Sequence, residues 1–166
     1  MVRVERDSSA TPRIRVIVGQ VSDPSEAESS HVIAELAQAV PVLRAVLDEH
    51  IDPHDEVLPY VVFADFRRAL EDLIDAGDEE SVTAFLDVIE RWSGSRSDPA
   101  HAYDGAARNM IAVAFLEDGL ILSGGRESRL LNSLRRRFGP QTLELLAQTE
   151  ANNARAVATW RARSGD

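Results

Sequence analysis

Apolar residues recur at helical spacing along most of the chain after residue 22. They return every three or four positions, which places them on one face of successive α-helices. Helix starts are marked by an aspartate followed by a proline at residues 23–24, 52–53 and 98–99, because the acid caps the first turn and proline fits its first position. The pattern predicts an all-α fold of six helices, arranged as an irregular bundle or as a short α-solenoid of HEAT-like pairs.

Prolines and glycines divide the helical region into separate elements. Pro41 lies inside the first apolar stripe, where its missing amide donor predicts a kink or a break near residues 39–40. Pro59 predicts the first turn of the next helix, and Gly77 predicts its end. Asp78 follows at once as the cap of another helix, so these two helices are predicted to form an antiparallel hairpin.

Two helices in the second half of the chain differ from the others. The predicted helix over residues 99–118 is apolar on every side between residues 110 and 116, which is typical of a segment surrounded by other elements. The last helix, which starts at Gly139-Pro140, becomes polar after Gln148. We therefore predict a central helix, and a C-terminal helix that extends past the core.

The first 22 residues have the pattern of strands. Residues 13–18 are rich in β-branched side chains, residues 2–5 repeat this more weakly, and turn-forming residues lie between the two segments. We predict an extended arm or a β-hairpin over residues 1–22 and a single helical domain over residues 23–166.

The composition excludes several classes of function. The 166 residues contain no cysteine, which excludes disulfides, thiolate metal sites and a cysteine nucleophile. All 18 lysine-or-arginine positions are arginines, so a phosphate-binding loop that depends on lysine is excluded. No apolar run is long enough for a membrane span or typical of a signal peptide, so we expect a cytoplasmic protein that does not contact membranes.

Negative charge is concentrated in the middle of the chain. The formal net charge is −10, and the stretch from Leu47 to Glu90 alone holds 14 acidic residues against two arginines. Such a charge distribution disfavours direct binding of nucleic acid and favours a basic protein partner, although acidic runs are also typical of solvated helix faces. The predicted partner-binding residues are Asp65, Asp72, Asp75, Asp78, Glu79, Glu80 and Asp87.

A histidine pair is the best candidate for metal chemistry. His50 and His54 are four residues apart among carboxylates such as Asp55, and imidazole with carboxylate is a donor set that suits zinc. Asp52-Pro53 breaks the helix between them, which removes the geometry that would bring both rings to one face. Because common catalytic and nucleotide-binding motifs are missing, we predict no catalytic residue and no cofactor, and keep metal binding as the weaker alternative.

Four polar residues of the predicted central helix form a candidate structural network. Asp104 and Arg108 are four positions apart, which suits an ion pair, and Asn109 lies beside them. Glu117 lies at the unfavourable end of the helix dipole, so we expect an arginine among residues 135–137 to pair with it. We interpret these residues as structural rather than catalytic.

Three segments carry a resemblance to known proteins: LPYVVFADF at residues 58–66, ARNMIAVAFLED at residues 107–118 and RRFGP at residues 136–140. In these segments the chain resembles a group of small, uncharacterised all-helical bacterial proteins, some of which resemble the immunity proteins of polymorphic toxin systems. The resemblance covers about residues 30–148 and consists mostly of apolar positions. It implies a helical fold and transfers no active site.

These observations favour a non-catalytic, protein-binding module. The first hypothesis is an immunity-type inhibitor whose acidic surface binds a basic toxin domain. The second is a metal-binding or hydrolytic helical enzyme that uses residues 50–56. The third is a homo-oligomeric scaffold that pairs through the polar part of the last helix.

Overall fold

Helices form most of the described chain. The structure, a computed structural model, describes residues 3–6, 14–17, 24–50, 58–94, 105–121 and 126–164. Its elements are β1 (Arg3–Arg6), β2 (Ile14–Ile17), α1 (Pro24–Ala39), α2 (Pro41–His50), α3 (Pro59–Ala76), α4 (Glu79–Ser93), α5 (Ala106–Met110), a π-helical segment (Ile111–Ile121), α6 (Arg126–Arg135) and α7 (Pro140–Ser164). The mainly all-α fold is confirmed, and the break predicted near residues 39–40 divides the first apolar stripe into α1 and α2.

The two strands pair with each other. In this antiparallel pair Arg3 lies opposite Ile17, and Arg6 lies opposite Ile14. Of the two alternatives for the start of the chain, the strand pairing corresponds to the hairpin, although the predicted turn lies outside the described residues. β2 also contacts α1.

Local sequence signals explain several helix boundaries. α1 ends where proline prevents its continuation, and the amide of Val40 still donates to the carbonyl of Leu36 at 3.0 Å before α2 begins at Pro41. α3 begins at Pro59 as predicted. It ends at Gly77, whose φ of 72° lies in the left-handed region that glycine adopts without strain.

Asp78 begins α4 as predicted. Its carboxylate accepts a hydrogen bond from the amide of Ser81 at 3.1 Å, which satisfies one of the free donors of the first turn. Hydrogen bonding to Ser81 holds the pKa of Asp78 below its ordinary value. Since Gly77 and Asp78 are the whole connection, α3 and α4 lie next to each other along the chain and in space.

The core is organised around the π-helical segment. Phe115 is fully buried, and its ring centroid lies 5.9 Å from that of Phe63, 5.8 Å from that of Phe85 and 6.2 Å from that of Phe138. The segment contacts α3, α4, α6 and α7. The prediction of a central apolar segment is therefore confirmed, but its winding is π rather than α from Ile111 onward.

The helices form a bundle rather than a linear array. α1 contacts α4 and α5 as well as its neighbour α2, and α4 contacts α7. In a solenoid each helix pair would contact only the adjacent pairs. None of the described helices combines the length and the apolar content that crossing a bilayer requires.

Two glutamates each cap the start of a helix that is distant in sequence. The Glu28 carboxylate accepts from the amides of Ala106 and Ala107 at 2.9 and 3.1 Å, at the start of α5. The Glu90 carboxylate accepts from the amides of Gln141 and Thr142 at 2.8 and 2.9 Å, at the start of α7. Anionic groups are favoured at helix N-termini, so these contacts hold α1 to α5 and α4 to α7.

Gly77 offers a test of the turn between α3 and α4. We expect Gly77→Ala to lower the free energy of unfolding by about 1 kcal/mol, because alanine is strained at a positive φ. Gly105→Ala is the matched control, since a Cβ at either position meets no atom within 4 Å and only Gly77 has a positive φ. Urea denaturation of both variants provides the measurement, and equal losses at the two positions would contradict the explanation.

Candidate functional site

A groove of about 590 Å³ lies between α2 and α3. Its floor is apolar and consists of Val42 and Val46 from α2 and of Ala69, Leu73 and Ala76 from α3. A volume of this size is within the range of about 300–1,000 Å³ that is typical of binding sites. The groove can therefore take in several side chains of a binding partner.

The two apolar faces of α2 explain why the groove exists. Leu43 and Leu47 are buried against the core. Val42 and Val46, each one position earlier, lie on an adjacent face, and Val42 is 46% exposed. Because α2 has apolar residues on both faces, one face packs inward while the other lines the groove.

The rim of the groove carries charged and polar groups. Asp65 of α3 accepts from His50 Nε2 through Oδ2 at 2.5 Å, with the histidine ring as the donor, and its Oδ1 accepts from Arg68. His50 lies in the last turn of α2. The Asp65 carboxylate therefore joins the end of α2 to α3, and its charge is balanced within the groove.

Two further carboxylates on the rim leave an excess of negative charge. Glu49 and Asp72 line the groove from opposite helices, and both residues are exposed. Neither has an ion-pair partner among the residues that the structure describes. The groove thus combines an apolar floor with an acidic rim.

The structure distributes the predicted partner-binding residues over several places. Only Asp65 and Asp72 line the groove, while Asp75 is exposed near the end of α3. Asp78 caps α4, and Glu79 pairs with Arg137. The remaining two, Glu80 and Asp87, are exposed on α4.

The proposed metal ligands are only partly described. His54 and Asp55 lie outside the described residues, while His50 binds Asp65 through Nε2. The described part of the chain contains no group of three histidine, aspartate or glutamate residues that could hold a metal ion.

The predicted polar network is only partly described. Asp104 lies outside the described residues, and Arg108 donates to the carbonyl of Ser93 at 3.1 Å and to Gln148 Oε1 at 2.8 Å. Asn109 donates to the hydroxyl of Tyr60 at 3.3 Å. Arg108 therefore joins α5 to α4 and α7, which is a structural role.

Two of the three arginines expected near Glu117 form ion pairs with other acids. Arg135 donates to Glu150 at 2.8 Å, and Arg137 pairs with Glu79. These acids lie on α7 and α4, so the two ion pairs join neighbouring elements, and the expected partner of Glu117 stays a prediction.

Sequence reasoning missed part of the site. Glu49 and Arg68 on the rim and the two valines of α2 were not among the candidates. The signal for the valines was present as an i, i+4 pair beside the buried leucine pair, but it becomes informative only once α3 is known to lie alongside α2.

Comparison with known proteins identifies the family to which the chain belongs. Residues 33–153 match the family described as Domain of unknown function (DUF7674), and because this is most of the chain, the protein belongs to that family. No curated protein and no solved structure shows significant similarity. The function must therefore be argued from the groove.

Proposed function

We propose that this member of the DUF7674 family is a non-catalytic binding module whose α2–α3 groove receives a basic amphipathic segment of a protein partner. The observation that supports this proposal is the combination of an apolar floor with an acidic rim. A helix with an apolar stripe and flanking arginines is complementary to both features. The immunity-type inhibitor of a basic toxin domain is the class of protein to which such a module would belong.

The floor would supply most of the affinity. Burying apolar side chains of the partner over Val46, Ala69 and Leu73 removes apolar surface from water on both sides, at about 25 cal/mol per Å². The half-exposed Val42 extends this surface. Salt screening, which weakens charge pairs, does not weaken this part of the affinity.

The rim would orient the partner and raise its association rate. Glu49 and Asp72 lie on different helices, so cations on both sides of the partner's apolar stripe would each meet a carboxylate. Complementary charge raises association rates and selects partners more than it adds affinity. Binding should therefore weaken as salt screens the rim.

Polar side chains in the groove also connect its two walls. His50 of α2 donates to Asp65 of α3, and Asp65 also accepts from Arg68 of its own helix. In this arrangement the three side chains act as a brace for the walls of the groove.

The test reverses the rim charges without disturbing the brace. For the double variant Glu49→Arg and Asp72→Arg, we expect about a tenfold loss of affinity for a synthetic amphipathic helix built from leucine and arginine. Fluorescence anisotropy at low and at high salt provides the measurement. The salt dependence of the wild-type affinity should largely disappear in the variant.

A matched control separates a local effect from net charge. The double variant Glu80→Arg and Asp87→Arg changes the charge equally on the exposed face of α4, outside the groove. We expect its affinity to stay within about twofold of the wild-type value. Equal losses in both double variants, or wild-type affinity in the rim variant, would overturn the assignment of the groove.

A further inference from the structure

The exposed end of α7 continues the helical face that packs on the core. Leu145, Leu146 and Thr149 are buried on this face. At helical spacing the same face reaches Val157 and Trp160, which are 47% and 64% exposed. The described part of the chain therefore leaves an apolar stripe uncovered on residues 151–164, the α7 extension.

Arginines flank this stripe on both sides. Arg161 and Arg163 follow Trp160 by one and three positions, and at about 100° per residue they lie to its left and right. Arg155 lies on the opposite face, where it binds atoms of its own helix. The α7 extension contains no acidic residue, so it is a basic amphipathic helix.

The length of the α7 extension is also compatible with that of the groove. The α7 extension rises about 21 Å at 1.5 Å per residue, while the ten residues of α2 that form one wall rise about 15 Å. An isolated helix of this length is marginal in water, so contact with another surface would stabilise it.

We propose that the α7 extension of one copy docks in the α2–α3 groove of a second copy. The inference rests on the proposed function of the groove, and it names a partner that the chain itself provides. Val157 and Trp160 lie over the apolar floor, and Arg161 and Arg163 meet Glu49 and Asp72. The contact joins two different surfaces of the chain. Two copies that each dock their extension in the other's groove close a dimer, and copies that each dock on a new neighbour build longer assemblies.

Charge reversal on each side, followed by mixing, tests this contact. One full-length variant carries Glu49→Arg and Asp72→Arg, and the other carries Arg161→Glu and Arg163→Glu. We expect the wild type to associate with increasing concentration in sedimentation velocity, and each variant alone to associate about tenfold more weakly or worse. The mixture should regain association, because each groove then finds an extension of opposite charge.

Two control variants separate the effect of the contact from the effect of net charge. Arg136→Glu with Arg155→Glu changes the charge equally at exposed positions off the stripe and should leave association unchanged. Trp160→Ala should weaken association without altering the charge. A wild type that stays monomeric, or a mixture that does not regain association, overturns the inference.

Failure of this inference can be told apart from failure of the proposed function. If the wild type is monomeric but binds the leucine–arginine peptide through the rim, the groove is a binding site and only the self-docking is wrong. If the peptide does not respond to the rim reversal, the proposed function fails first.

Discussion

Replacing Phe115 with alanine is expected to lower the free energy of unfolding by about 4 kcal/mol, the largest effect of any single change considered for this protein. The ring is fully buried and lies within 6.2 Å, centroid to centroid, of Phe63, Phe85 and Phe138. Those three rings come from α3, α4 and the residues after α6, so the neighbours cannot all move in to fill the cavity. Urea denaturation followed by circular dichroism provides the measurement.

Phe115→Leu serves as the control for this prediction. Leucine keeps most of the volume and should cost about 1–1.5 kcal/mol, since only the shape of the packing changes. An alanine variant that lost no more stability than the leucine variant would show that Phe115 is not the centre of the core.

Replacing Glu90 with alanine should lower the free energy of unfolding by about 3 kcal/mol at neutral pH, because the variant removes the acceptor of three hydrogen bonds. Two are from the amides at the start of α7, and the third is from the hydroxyl of Thr142 at 2.7 Å. Thr142 is buried, so in the variant water cannot replace the lost acceptor of its amide and its hydroxyl. Asp87→Ala on the exposed face of α4 removes an equal charge and should change stability little.

The pH dependence of the Glu90 variant follows from the direction of its pKa shift. Burial acts to raise the pKa of Glu90, but the hydrogen bonds from Thr142 and Gln141 outweigh it, and the pKa lies below the ordinary value of 4.5. A lowered pKa in the folded state stabilises the fold fully above pH 4.5, and this contribution is lost as the pH falls through the folded pKa. The difference between wild type and Glu90→Ala should therefore shrink in acid; a constant difference would contradict the role of the charge.

Gly139 explains why this cap fits so closely. A Cβ at this position would lie 2.6 Å from both carboxylate oxygens of Glu90, so any other residue would displace the cap. The sequence marks Gly139-Pro140 as a helix boundary, and the structure adds that the glycine makes room for an acid from α4.

Most helix boundaries could be predicted because each depends on a residue with a strong local preference. Pro41, Pro59, Gly77 and Asp78 each act within one turn of the chain, so no knowledge of distant residues is required. The π winding after Met110 gave no such signal. A segment that is apolar on every side has no polar positions from which its helical period can be deduced.

The candidate site was less accessible to sequence reasoning because it forms between elements. Of the acids predicted to bind a partner, Asp78 and Glu79 are engaged in a cap and an ion pair, and only Asp65 and Asp72 line the groove. Which acids remain available depends on the positions of Ser81 and Arg137, one local and one distant. Which distant residues form such a pair is determined by how the helices pack, and the spacing of residues along the sequence does not show it.

The caps supplied by Glu28 and Glu90 have a consequence for how the chain reaches its native state. Each carboxylate meets amides that are 78 or 51 residues further along the sequence. Such contacts bear the entropy of closing a long loop, so we expect them to form after the intervening helices have assembled. We therefore expect the first turns of α5 and α7 to be fixed late in folding, so that loss of either glutamate speeds unfolding more than it slows folding.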